Sequence, residues 1–166
     1  MFHTIAEFSS AWQAESASTL KVMQALTDAS LAQKVTPEGR SLGRLAWHLV
    51  QTLGEMGAQA GLSVEGASEK APQPPTAAAI SEAYEAGAAA VGKAVTSAWK
   101  DDDLALEIDM YGEKWTRAMS LRALIQHEVH HRGQMTVLMR QAGLTVPGVY
   151  GPAREEWAAY GMPAQE

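Results

Sequence analysis

Apolar side chains recur at intervals of three and four positions along four stretches of the chain, and residues that break helices stand between those stretches. In the first, Ile5, Phe8, Trp12, Thr19, Met23 and Leu26 fall on one face, and Thr36-Pro37-Glu38-Gly39 closes the region. The second is capped by Ser41 and runs to about Gly61, with Leu42, Leu45, Ala46, Leu49, Leu53 and Met56 as its stripe. A loop follows from Ser63 to Pro75, marked by Pro72, Pro74 and Pro75. The third stretch starts at Thr76, carries Ile80, Tyr84, Ala88, Val91, Val95 and Ala98 on one face, and stops at Asp101-Asp102-Asp103, which reads as a solvated turn. The fourth begins with Ser120 as its expected cap and continues to Ala142, with Gly143 in the stop position.

Two regions are less regular. Leu104 to Arg117 alternates weakly and contains Tyr111-Gly112, which fits either an irregular connection or a short hairpin. Beyond Gly143, a turn-rich run from Val146 to Pro152 precedes a short final helix over Arg154 to Tyr160. Each of four long helices has one apolar stripe to bury and three partners to bury it against, so the expected fold is all-α, a four-helix bundle. No internal repeat is visible, and 166 residues suit one domain spanning 1–166.

Composition narrows the chemistry. The formal net charge of −6 and the scattering of the 13 Lys and Arg residues speak against a nucleic-acid partner, which needs clustered cations. There are 0 cysteines, hence no disulfide framework, no redox thiol and no thiolate ligand, and any transition metal must be held by nitrogen and oxygen. A core of this size folds without a structural metal, so an ion would be functional. No signal peptide or membrane span is evident, and the expected compartment is the cytoplasm.

The histidines give the strongest signal. On the fourth helix, a rotation of about 100° per residue sets His127 and His131 among Leu124, Met135 and Leu138, in the stripe that should face the core. Four-residue spacing stacks the two rings on one face, and buried imidazoles need partners for both ring nitrogens, which a metal ion supplies. A catalytic site of the zinc type takes three protein ligands and leaves a position open. His48, flanking the second stripe beside Leu45, Leu49 and Thr52, is the natural third ligand, with an ordinary surface histidine as the alternative. His130 lies off the stripe and reads as a supporting or surface residue.

His127-Glu128-Val129-His130-His131 also satisfies H-E-x-x-H, in which the glutamate is the general base of a metalloprotease, with Glu155 or Glu156 as a possible third ligand. Against that reading, the first hundred or so residues offer no strand against which an extended peptide could be held. Glu128 remains a candidate for orienting a ligand or water. Trp115 and Trp157 are candidate pocket walls, Trp12 and Trp47 read as core, and Gly133 suits a close helix or subunit contact.

His127-x-x-x-His131-Arg132-Gly133-Gln134, together with His48 in Trp47-His48-Leu49, resembles the DinB/YfiT-like family of bundle proteins, and the resemblance covers essentially the whole chain. It implies a four-helix bundle with a three-histidine site at His48, His127 and His131 for zinc, nickel or a similar divalent ion such as iron, manganese or cobalt, in a homodimer. Characterised relatives include S-transferases that use low-molecular-weight thiols such as bacillithiol or mycothiol, and a mycothiol-dependent isomerase. The leading expectation is therefore metal-dependent transfer of a small thiol to an electrophile, with Glu128 or Gln134 orienting a ligand. Hydrolysis by a metal-activated water, with Glu128 or His130 moving protons, is the first alternative. A non-catalytic, stress-related metal-binding protein is the second.

Overall fold

The computed structural model describes residues 1–66 and 68–164. Four long helices, α1 (Ile5–Gln24), α2 (Leu42–Gln59), α3 (Ala77–Ala98) and α4 (Arg117–Gln141), form the body. The stripes become the core as expected: Phe8, Trp12 and Met23 on α1, Leu42, Leu49 and Leu53 on α2, and Ile80, Tyr84 and Val95 on α3 are buried together. Ala98 is an exception. It is exposed, and Trp99 is buried in its stead, its ring covered by the Arg117 guanidinium at 4.7 Å.

Helix α1 packs against α3 and α4, and α2 packs against the same two, so the helices run in the order α1, α3, α2, α4 around the bundle. Helices α1 and α2 are thus diagonal, as are α3 and α4. A helix with two neighbours buries a wide arc, and α4 accordingly buries polar as well as apolar positions.

Hydroxyl caps start all four of these helices, with Thr4 accepting the Glu7 N–H at 3.1 Å ahead of α1. Ser41 and Thr76 accept backbone N–H groups at the starts of α2 and α3, as their positions predict. For α4 the cap is Thr116, not Ser120: Thr116 accepts the Met119 N–H at 3.2 Å, while the Ser120 hydroxyl donates back to the Arg117 carbonyl at 2.8 Å. Gly143 stops α4 in the left-handed region, with φ 75°.

The ambiguous connection is a hairpin, with β1 (Glu107–Met110) antiparallel to β2 (Glu113–Thr116). Its two turn residues, Tyr111 and Gly112, have φ of 56° and 86°, the left-handed pair that joins two twisted strands most tightly. Short 3-10 turns cover Asp28–Ala32, Asp101–Ala105 and Arg154–Tyr160. The expected solvated turn at Asp101 to Asp103 has structural partners as well: Asp101 accepts the Ile5 N–H at the start of α1, and Asp103 lies 3.8 Å from Arg117.

Among the described residues no helix is long and apolar enough to cross a membrane.

Candidate metal centre

His48 comes from the middle of α2, and His127 and His131 come from successive turns of α4, the helix beside it. One candidate ligand nitrogen from each ring lies within 4.8 Å of the others, and among the described residues no carboxylate joins the group. Ring centroids are 4.9 Å apart for His48 and His127, 4.8 Å for His48 and His131, and 4.4 Å for His127 and His131.

The Nε2 atoms of His48 and His127 face each other at 3.1 Å. Two nitrogens on one tetrahedral ion, each about 2.0–2.1 Å from it, are separated by about 3.3 Å. His131 is held differently: its Nδ1 lies 2.7 Å from Gln134 Oε1, so Nδ1 carries the hydrogen and the Nε2 lone pair is left for another partner. The amide of Gln134 extends to His130 Nε2 at 3.2 Å.

Protonation favours the same use. Burial, then the charge of His131, then Arg40 and Arg44, hold His48 down at about 4. Burial followed by His131, His48, His130 and Arg40 brings His127 to about 4, and burial lowers His131 against the opposing pull of Gln134. At neutral pH the rings are uncharged and their lone pairs available, which is the state a metal ligand requires. The Nδ1 of His127 is buried and has no hydrogen-bond partner among the described residues.

Glu128 lies apart from the three rings. Adjacent helical positions differ by about 100° in direction, and the carboxyl turns from the imidazoles into the bundle interior. There it is 0 % exposed and its Oε2 accepts the Tyr84 hydroxyl at 2.8 Å, a bond between the diagonal helices α3 and α4. Burial raises it to about 7, although Tyr84, Thr19 and Arg132 all pull it the other way. His130 and Gln134 are exposed, and the Gln134 side chain contacts both His131 and His130.

The third ligands of the metalloprotease reading are engaged elsewhere. Glu155 pairs with Arg140, and Glu156 accepts the backbone N–H groups of Gly148 and Ala153. Trp115 packs on Tyr111 and Trp157 on Tyr160, and neither reaches the cleft at the histidines. Trp12 and Trp47 are core residues whose indole N–H groups donate to the Ala88 and Ala71 carbonyls. A side chain added at Gly133 would meet nothing within 4 Å, so that glycine serves no close contact inside the chain.

A cleft of about 400 Å³ opens beside the centre, with His131, Gln134 and Arg40 in its wall and apolar surface from Val35, Leu45, Val137 and Leu138. A larger groove of about 510 Å³ between α1 and α3 contains no histidine.

Arg132 is the residue that sequence reasoning passed over. It is 2 % exposed and donates to the Glu15 carboxylate at 2.6 Å, to the Glu15 carbonyl, to Thr19 and to the Tyr150 hydroxyl. Its position one residue past His131 was visible, but its partners lie far away in sequence.

Comparison with known proteins agrees with this architecture. The DinB family model matches residues 1–166. The chain is 43% identical over 164 residues to the uncharacterized protein YrdA of Bacillus subtilis, covering 99% of this chain and 98% of that one. It is similar to a crystal structure of a DinB-like protein from Bacillus cereus, with TM-score 0.87 and 44% identity over 90% of this chain and all of the other. The DinB-like protein YjoA of B. subtilis shares the fold at TM-score 0.66 and 20% identity, over 86% of this chain and 96% of that one. With its four-helix body, its histidine triad and these matches along its whole length, the chain belongs to the DinB family.

Proposed function

We propose that the protein holds one divalent metal ion on His48, His127 and His131 and uses it to transfer a low-molecular-weight thiol to an electrophile. The observation that carries the reading is the approach of two uncharged imidazoles, Nε2 to Nε2, at 3.1 Å, with a third ring alongside. Without a cation, one of those nitrogens must spend its hydrogen on the other; with one, both lone pairs converge on a shared charge. Zinc and nickel suit such a nitrogen set, and iron, manganese and cobalt are the other divalent candidates.

When bound, the ion supplies Lewis acidity, which favours the thiolate form of a thiol at neutral pH. The residues supply the rest. Gln134 fixes the tautomer and orientation of His131, and His130 in turn anchors the Gln134 amide. Leu45, Val137 and Leu138 give the cleft an apolar wall against which the reacting partners can pack. Thiol transfer is favoured over hydrolysis because Glu128, the carboxylate base of the hydrolytic reading, is committed to Tyr84 in the core, and His130, the other candidate base, is engaged with the Gln134 amide. The proposed setting is a cytoplasmic homodimer acting on small molecules.

The test combines elemental analysis with turnover. Protein purified without chelator or nickel resin should carry close to one equivalent of ion, and a His131→Ala preparation should not. The loaded wild type should consume a small thiol in the presence of an electrophile and leave ester and amide substrates intact. Equal trace metal in both preparations rejects the site, and ester cleavage without thiol consumption rejects the reaction.

A further inference from the structure

The cleft beside the histidines has an uneven chemistry. Among the described residues, four in its wall, Val35, Leu45, Val137 and Leu138, are apolar, no carboxylate lines it, and its one charged side chain is Arg40. Arg40 sits immediately before Ser41, the cap of α2, so its backbone is fixed at a helix start. The guanidinium is exposed and forms no ion pair among the described residues, unlike Arg117, Arg132 and Arg140, which pair with Asp103, Glu15 and Glu155.

We propose that Arg40 is the specificity-determining residue of the cleft and that the small molecule bound there is an anion, a carboxylate attached to an apolar body. This deepens the metal reading and rests on it for the position of the reacting end. Three uncharged imidazoles leave the charge of a divalent ion uncompensated, and Arg40 adds another positive charge in the same cleft. An anionic ligand is the species that relieves both, while its body covers Val35, Leu45, Val137 and Leu138. A guanidinium fork holds two oxygens of a carboxylate or a phosphate at once, as an ammonium group does not, and the mostly apolar wall around it favours the singly charged carboxylate.

The test uses 6-mercaptohexanoate and the matched neutral probe 6-mercaptohexanamide, titrated calorimetrically into wild type, Arg40→Gln and Arg40→Lys, each with zinc and after chelator treatment. Wild type should prefer the carboxylate by about tenfold, the low end for one charge-assisted hydrogen-bonded contact, because Arg40 is exposed. In metal-free protein Arg40→Gln should bring the ratio near one, with amide affinity unchanged and zinc stoichiometry in the loaded protein as in wild type, and Arg40→Lys should fall between. A ratio near one in wild type, an unchanged ratio in Arg40→Gln, or failure of wild type to bind either probe overturns the proposal. Failure of the metal reading shows separately, as absence of zinc uptake, and the ratio in metal-free protein still decides the role of Arg40.

Discussion

Replacing His48 by alanine removes the one imidazole that α2 contributes and leaves the His127–His131 pair on α4 intact. An ion bound only to the native state stabilises it by about 2.7 kcal/mol when its free concentration is a hundred times Kd. At about 2–4 °C per kcal/mol for a chain of this size, zinc should raise the wild-type melting temperature by about 5–10 °C. Apparent zinc affinities of about 10–16 kcal/mol over four ligands imply about 3 kcal/mol per ligand, so loss of one of three weakens binding by about 10²-fold. At the same zinc concentration His48→Ala then retains only about 0.4 kcal/mol, a shift of about 1–2 °C. The assay is thermal unfolding of chelator-treated protein against zinc, with bound ion counted in parallel. His48 is only partly buried, so the metal-free variant should melt near the wild type. A full zinc shift and one bound equivalent in His48→Ala would refute the convergence of α2 and α4 on one ion.

Gln134→Ala should weaken metal binding by about 10- to 100-fold with little change in metal-free stability, because it frees the Nδ1 side of His131; equal affinity would show that the 2.7 Å contact orients nothing. Tyr84→Phe leaves the Glu128 carboxyl, 0 % exposed, without its partner and should cost about 1–3 kcal/mol in urea unfolding while metal stoichiometry stays the same. Metal-free stability should respond to pH through the triad. His48 and His127 sit at about 4 in the fold against 6.5 for an ordinary histidine, so the unfolded chain takes up protons first and stability falls as pH drops through that window. Glu128, raised to about 7, works in the opposite sense, so the clean measurement is the difference between wild type and His48→Ala. The variant should lose less stability between pH 7.5 and pH 5, and an equal loss would deny that His48 is held neutral.

The histidine pair on α4 was readable because an i, i+4 repeat inside an apolar stripe is a local pattern that survives into three dimensions. His48 was weaker on spacing alone, since its position depends on α2 and α4 being neighbours, and the family resemblance strengthened its assignment. The hairpin stayed ambiguous for a local reason: its strands are four residues each, and their pairing is fixed by the Tyr111-Gly112 turn more than by alternation. Thr116 and Ser120 are both acceptable caps, and the choice between them was made by β2 running straight into α4. The contact of Glu128 with Tyr84 was not legible because a motif names residues without saying which side of a helix faces a second neighbour. Arg132 with Glu15 and Tyr150, and Tyr84 with Glu128, join distant parts of the chain, and no local signal reports such a pairing.

His48 and His127 are separated by 79 positions, with the whole of α3 and the hairpin lying between them. A folding intermediate that has α4 but has not yet seated α2 beside it offers an ion only two imidazoles, and one that pairs α2 with α3 offers a single ring. Tight coordination is therefore reserved for the chain whose helices have found their final order, and ion uptake during refolding would time the arrival of that topology rather than the formation of any helix.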